Sequence, residues 1–143
     1  MNNKMTLTFL SLSENEAFAR NAVASFMLPL NPTLSEINDV KTAVSEAVTN
    51  AVVHGYPDAV GEVELIAVID GNCIHIEIID NGVGIENLTK ALEPFYSTKP
   101  ECERSGMGFS IMQSFMDEVD VKSAINKGTI IKMSKKINQT KAV

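Results

Sequence analysis

Glu46, Asn50 and His54 fall four residues apart in Glu46-Ala-Val-Thr-Asn50-Ala-Val-Val-His54-Gly55, a stretch whose apolar spacing reads as helix. At 3.6 residues per turn, each step of four advances about 40° around the axis, so the three form a slowly turning ridge. A carboxylate and an amide one turn apart can address the same ligand. Asn50 offers a neutral oxygen to a magnesium ion that already carries phosphate and water. Glu46 offers a base for the proton of an attacking hydroxyl or water. Read alone, this ridge is also the solvated face of an amphipathic helix, and His54 a C-terminal capping or packing group. Small Ala43 and Ala47 stand beside the ridge, where a ligand is expected to approach.

Two glycine-bearing loops lie downstream. Asp80 ends an apolar run and leads into Asn81-Gly82-Val83-Gly84. A carboxylate fixed at a strand end accepts the amino proton of adenine, a donor that guanine lacks at that position. Gly82 and Gly84 let the backbone turn and approach the base without a Cβ in the way. Ser105-Gly106-Met107-Gly108 precedes an apolar helix, an arrangement that presents backbone N–H groups to phosphate. It matches neither Gly-x-x-x-x-Gly-Lys-Ser/Thr nor Gly-x-Gly-x-x-Gly, so neither a P-loop nor a Rossmann site is indicated. Between the loops, Pro94 to Ser105 is polar and proline-punctuated, as a lid would be, with Lys99 and Arg104 able to meet phosphate charge. Lys127-Gly128-Thr129 opens a strand and brings the Thr129 hydroxyl toward the base. In this order the pieces describe a site for ATP with magnesium. Taken singly, each has a plainer reading as a turn or surface loop.

The elements that must position these residues follow from the pattern. Thr6 to Leu10 alternates as an edge strand. Ser13-Glu14-Asn15-Glu16 has the form of a capping box and opens a helix to about Leu28, closed by Pro29 and Pro32. Thr33-Leu34-Ser35-Glu36 is a second capping box; it opens a long helix from about Leu34 to His54. The buried stripe of that helix reads Ile37, Val40, Val44, Val48 and Ala51, and Gly55 reads as its terminator. Strands are expected at Glu62 to Ile69 and Cys73 to Asp80, joined by the hairpin turn Asp70-Gly71-Asn72. A short helix near Glu86 to Leu92, a helix from Met107 to about Met116, and strands near Val119 to Ala124 and Thr129 to Lys135 complete the chain. Helices grouped against a mixed, mostly antiparallel sheet make a two-layer α/β (α+β) sandwich. One domain is expected over residues 1–136, with a short tail from Ile137 onward.

Bulk properties narrow the class. The chain has 143 residues, enough to bury a core unaided, with 45% apolar and 21% charged residues. No apolar run approaches the roughly 20 residues that span a bilayer, and Met1-Asn2-Asn3-Lys4 lacks a signal-peptide layout, so a cytoplasmic protein without membrane contact is expected. Cys73 and Cys102 lie far apart without metal-ligand spacing and read as reduced residues. A net charge of −6 argues against direct nucleic-acid binding and suits a basic protein partner.

Together the three motifs resemble the ATP-binding (Bergerat) fold shared by gyrase, histidine kinases and MutL. Ser13 to Glu16, Val44 to Ala51 and Ser105 to Phe109 look like the anti-sigma factor serine kinases. Phe115 to Val119 and Asn126 to Thr129 point within them to the branch of endospore formers. The resemblance runs from about Met5 to Lys135, with Tyr56 to Gly61 looking short for the family. It implies a homodimer that binds ATP or ADP with Mg²⁺, holds a sporulation sigma factor inactive, and phosphorylates a serine on an anti-anti-sigma protein. By position it implies Asn50 as magnesium ligand, Asp80 and Thr129 as readers of adenine, and Glu46 as general base. It further implies Gly82, Gly84, Gly106 and Gly108 as shapers of the nucleotide loops, with Thr98, Lys99, Arg104, Ser105 and Met107 also on the nucleotide. Arg20 and Glu103 fall at partner-contacting positions. The alternatives are a stress-response relative, a non-catalytic nucleotide-dependent sigma clamp, a histidine-kinase catalytic domain, and an ATPase that drives a conformational cycle.

Overall fold

Alternation of apolar and polar residues is strongest between Glu62 and Asp80, and there the sheet is built. The computed structural model describes residues 2–85 and 108–137. β2 (Glu62–Asp70) and β3 (Cys73–Asp80) form the expected hairpin, with Gly71 at φ 64° in its turn. β1 (Asn2–Leu10) pairs with the whole of β2, from Asn2 opposite Asp70 to Leu10 opposite Glu62. It therefore begins four residues before the alternation starts at Thr6: pairing carries Asn2 to Met5 into the strand although their own pattern does not. β4 (Glu118–Ala124) and β5 (Gly128–Lys136) complete the order β1-β2-β3-β5-β4, with β1 on the expected edge. Every described pairing is antiparallel, so the mixed sheet expected from the pattern is, among the described residues, purely antiparallel.

The helices cover one face of this sheet. α1 (Glu14–Phe26) is followed by a 3₁₀ turn at Leu28–Leu30, α2 spans Leu34–Asn50, and α3 spans Gly108–Phe115. One core holds Val23, Val40, Val44 and Val48 from the helices against Leu65, Ile76, Ile78 and Ile131 from the strands. Each such buried aliphatic side chain contributes about 1.5–3 kcal/mol. Lys135 of β5 ties the layers together: its Nζ donates to the Phe115 carbonyl at 2.9 Å, capping the end of α3, and lies 3.7 Å from Asp39 of α2.

The two capping boxes behave differently. At α2 the Thr33 hydroxyl accepts the Glu36 N–H at 3.1 Å and Glu36 accepts the Thr33 N–H at 2.8 Å, the complete reciprocal pair. At α1 Ser13 has a helical backbone and makes no side-chain cap; Glu16 instead reaches forward to Arg20. The expected box at Ser13 is thus absent, because an extended N-cap backbone is required to aim the hydroxyl at the third residue. Ile37 is only half buried, and the buried stripe of α2 instead includes Ala43 and Ala47, both fully buried. These alanines serve close packing against neighbouring elements, not ligand approach as the sequence suggested. At the other end Ile137, placed in a tail by its sequence, is fully buried and donates its N–H to the Asn72 carbonyl at 2.8 Å. The short helix expected near Glu86 to Leu92 lies outside the described residues.

Candidate functional site

The pleat decides where Asp80 goes. On β3, Ile74, Ile76, Ile78 and Asp80 share one face, and the first three are core residues. Asp80 continues the same alternation and is 3% exposed; Thr129, its register partner on β5, is also 3% exposed and continues the face of Ile131 and Met133. The apolar side of the sheet thus ends in a buried carboxylate beside a buried hydroxyl. Burial raises the Asp80 carboxyl above its ordinary pKa, and the backbone N–H groups of Gly82 and Thr129 partly offset that. No described cation pairs with it.

Glycines let backbone close around this carboxylate. α2 does not stop at Asn50 but continues as a π turn over Ala51–Gly55, closed by the Tyr56 N–H on the Ala51 carbonyl at 3.1 Å. The extra residue in this turn, a feature often found at functional sites, places Gly55 against Asp80. A Cβ on Gly55 would lie 2.8 Å from the carboxyl carbon and 2.9 Å from both oxygens. Gly55 ends the helix, as its position suggested, and its missing side chain also leaves the gap that admits the Asp80 side chain. Gly82 in turn packs against the Gly55 carbonyl, and Gly84, at φ 77°, against the Ala124 carbonyl. Gly128, at φ 83°, lies under the Asp80 backbone.

A hydroxyl network holds the far side. Ser123 of β4 accepts the Ile85 N–H at 2.7 Å, lies 2.8 Å from the Thr129 hydroxyl and donates to the Gly128 carbonyl at 2.9 Å. The Asn126 N–H reaches the Val83 carbonyl at 2.8 Å, tying the β4–β5 turn to the loop after Asp80. Sequence reasoning singled out Thr129 and missed Ser123, which only the register of β4 on β5 brings opposite it.

Glu46 and Asn50 are half buried on the last two turns of α2, about 6 Å apart along the axis. The π turn carries their helix directly to Asp80, so the base-reading and metal-binding candidates belong to one continuous support. Arg20 is half buried on α1, with Nη1 at 2.7 and 2.6 Å from the two Glu16 oxygens. Gly108 opens α3. Thr98, Lys99, Glu103, Arg104, Ser105, Gly106 and Met107 lie outside the described residues. A hollow of about 300 Å³ opens between the π turn and the loop after β3, but it is lined by Tyr56, Pro57, Asn81 and Val83, not by Asp80, Asn50 or Glu46. No described helix is long and apolar enough to cross a membrane.

Residues 10–135 match the family described as "Histidine kinase-like ATPase domain". The chain is 57% identical over 136 residues to the anti-sigma F factor of Clostridium acetobutylicum, covering 95% of both chains. This chain belongs to the anti-sigma F factor family. Its identity to the anti-sigma F factor of a Thermoanaerobacter species is 53%, covering 97% of each. With that of Anoxybacillus flavithermus it is 51%, over 100% of this chain and 99% of the relative. Among solved structures, the RsbU and RsbW domains of a Mycobacterium tuberculosis protein superpose with a TM-score of 0.69 at 19% identity, covering 94% of this chain and 32% of that one. At that identity the likeness concerns the fold alone. The nucleotide-binding fold read from the three motifs is the fold of the chain, with helices on one face of a five-stranded sheet.

Proposed function

We propose that the protein is an anti-sigma factor that inhibits a sporulation sigma factor and, with ATP and Mg²⁺, phosphorylates a serine of its anti-anti-sigma partner. The observation that carries the nucleotide part is Asp80: a buried carboxylate whose described partners are backbone N–H groups, set beside the Thr129 hydroxyl and enclosed by glycines. A buried charge without a cation is unfavourable unless a ligand donor meets it, and the amino group of adenine is such a donor. The sigma-factor part rests on membership of the anti-sigma F family.

Asn50 suits Mg²⁺ that draws the rest of its shell from phosphate and water. No group of three or more His, Cys, Asp or Glu side chains forms a protein cage among the described residues. Bound there, the ion would neutralise phosphate charge. Glu46, one turn away, would accept the proton of the attacking serine hydroxyl. Gly106 to Gly108 at the start of α3 would hold phosphate oxygens through N–H groups, with Ser105 and Met107 beside them. Thr98, Lys99 and Arg104 would close over the nucleotide. Phosphoryl transfer needs chiefly such positioning and charge neutralisation. Arg20 and Glu103 would contact protein partners, and a homodimer would present two such surfaces. Negative charge on the product serine would then weaken the complex with this acidic protein, net −6.

The test is transfer of label from γ-labelled ATP with Mg²⁺ to the cognate anti-anti-sigma protein, with Glu46→Gln in parallel. Serine labelling abolished by Glu46→Gln with nucleotide binding intact is the expected result. Tight ATP binding without labelling would leave a non-catalytic, nucleotide-dependent clamp.

A further inference from the structure

The turn that follows Asp80 has three successive N–H groups, and each has a definite acceptor. Gly82 donates to the Asp80 side chain, to Oδ1 at 2.9 Å, and Val83 donates to the Gly55 carbonyl at 2.9 Å. Asn81 donates to the hydroxyl of Tyr56 at 2.8 Å. Of these three N–H groups, that of Asn81 alone has a side-chain acceptor from another element, and Tyr56 supplies it. Its own proton goes to the Glu62 carbonyl at 2.8 Å, at the start of β2, so both roles of the hydroxyl are used. The ring is seated over Gly61, where any Cβ would overlap it.

This geometry constrains more than the backbone. Oδ1 of Asp80 is oriented by the Gly82 N–H, and that N–H points at the carboxylate only while the turn keeps its shape. Asn81 is exposed, so without the phenol its N–H has water as an alternative. Loss of the hydroxyl therefore costs the fold little and costs the turn its anchor. Tyr56 also directly follows the π turn that continues the helix of Glu46 and Asn50.

We propose that Tyr56 is a positioning residue for base recognition: its hydroxyl clamps the Asn81 N–H and so holds the Asp80 carboxylate in register with the helix that carries Asn50. This deepens the proposed function and rests on the reading of Asp80 as the acceptor of the adenine amino group.

The experiment compares wild-type protein and Tyr56→Phe for binding of ATP, ADP and ITP, whose base carries a keto oxygen in place of the amino group. Tyr56→Phe keeps the ring over Gly61. ATP and ADP affinities are expected to fall together, by roughly 2- to 10-fold, the scale of one hydrogen bond. ITP affinity should change less, so the ATP-to-ITP preference narrows. A purely structural role would lower the melting temperature and leave that ratio where it was, and an unchanged ratio overturns the proposal. Amide exchange of wild-type, nucleotide-free protein provides a second readout that needs no variant. The exposed Asn81 amide should be protected, and exchange at an unprotected rate would equally overturn the clamp. A wild-type protein that binds ITP as well as ATP would remove the reading of Asp80 itself, a failure distinct from a Tyr56→Phe variant that keeps wild-type selectivity.

Discussion

Replacing Asp80 with Asn separates what the carboxylate does for the ligand from what it does to the fold. The Asn oxygen can keep the Gly82 N–H now held at 2.9 Å, which turns the amide nitrogen toward the ligand. On the proposed reading of Asp80, an acceptor for the adenine amino group becomes a donor facing a donor. A hydrogen bond to a charged group contributes about 1.5–3 kcal/mol, so ATP and ADP should bind roughly 10- to 150-fold more weakly, toward the upper end because of the opposed donors. Stability of the nucleotide-free protein should move the other way. The native Asp80 pKa lies above its ordinary value, chiefly because of burial. Between an unfolded value of about 3.9 and the raised native value, the native state holds a proton that the unfolded state has released. The stability this gives is fully present below about pH 3.9 and is lost as pH rises through the native value. At neutral pH the ionised side chain is a net burden, and Asp80→Asn removes it. Urea denaturation of both proteins from pH 4 to 8 should show the variant gaining on the wild type as pH rises, with the difference levelling off. Carboxylates shared by both proteins, such as Asp39 beside Lys135, cancel in that difference. Wild-type ATP affinity in Asp80→Asn, or a variant less stable at pH 7 than at pH 4 relative to wild type, would refute the reasoning.

Gly55→Ala tests the packing gap. Helix propensity alone favours Ala over Gly by up to about 1 kcal/mol, whereas a Cβ placed 2.8 Å from the Asp80 carboxyl carbon demands a shift costing about 1–3 kcal/mol. A lower melting temperature with weakened ATP binding is expected, and a raised one would show that the gap is not needed. Thr33→Ala should cost about 1 kcal/mol by removing the formed cap on α2, while Ser13→Ala stays within about 0.5 kcal/mol. Equal losses in chemical denaturation would contradict the difference between the two helix starts.

The elements that the sequence made legible are those whose signals are local. The strands β2 and β3 announce themselves by alternation and by Asp70-Gly71-Asn72, and α2 by its valines and its Thr33 cap. Ser13 has the same residue spacing as Thr33 and fails as a cap, because its backbone is helical and Glu16 prefers Arg20 one turn on. The capping pattern specifies which atoms can meet; the path of the chain from β1 into α1 determines whether they do. Ala43 and Ala47 likewise looked like room for a ligand when seen on an isolated helix, and close packing consumes that room. Of the candidate site, Asp80 was readable twice over, as a residue before a glycine turn and as the next term in the series Ile74, Ile76, Ile78. The second signal is the stronger one, since it predicts burial.

Burial is also what links the parts that could not be read. Gly55, Tyr56 and Ser123 have no motif that separates them from an ordinary helix end, loop and strand residue. Each acquires its role because Asp80 sits on the core face with no cation paired to it among the described residues. Gly55 gives up its side chain to admit the carboxylate, Tyr56 fixes the turn that aims it, and Ser123 fixes the hydroxyl beside it. A charge buried in this way is tolerable only while its surroundings are over-determined. That requirement explains why the Asp80 turn has every following N–H from Asn81 to Val83 engaged although Asn81 and Val83 are exposed residues. The same rigidity that burial demands in the nucleotide-free protein is the preorganisation that selective binding of a base requires. On the proposed reading of Asp80, the stability problem and the recognition problem have one solution in this fold.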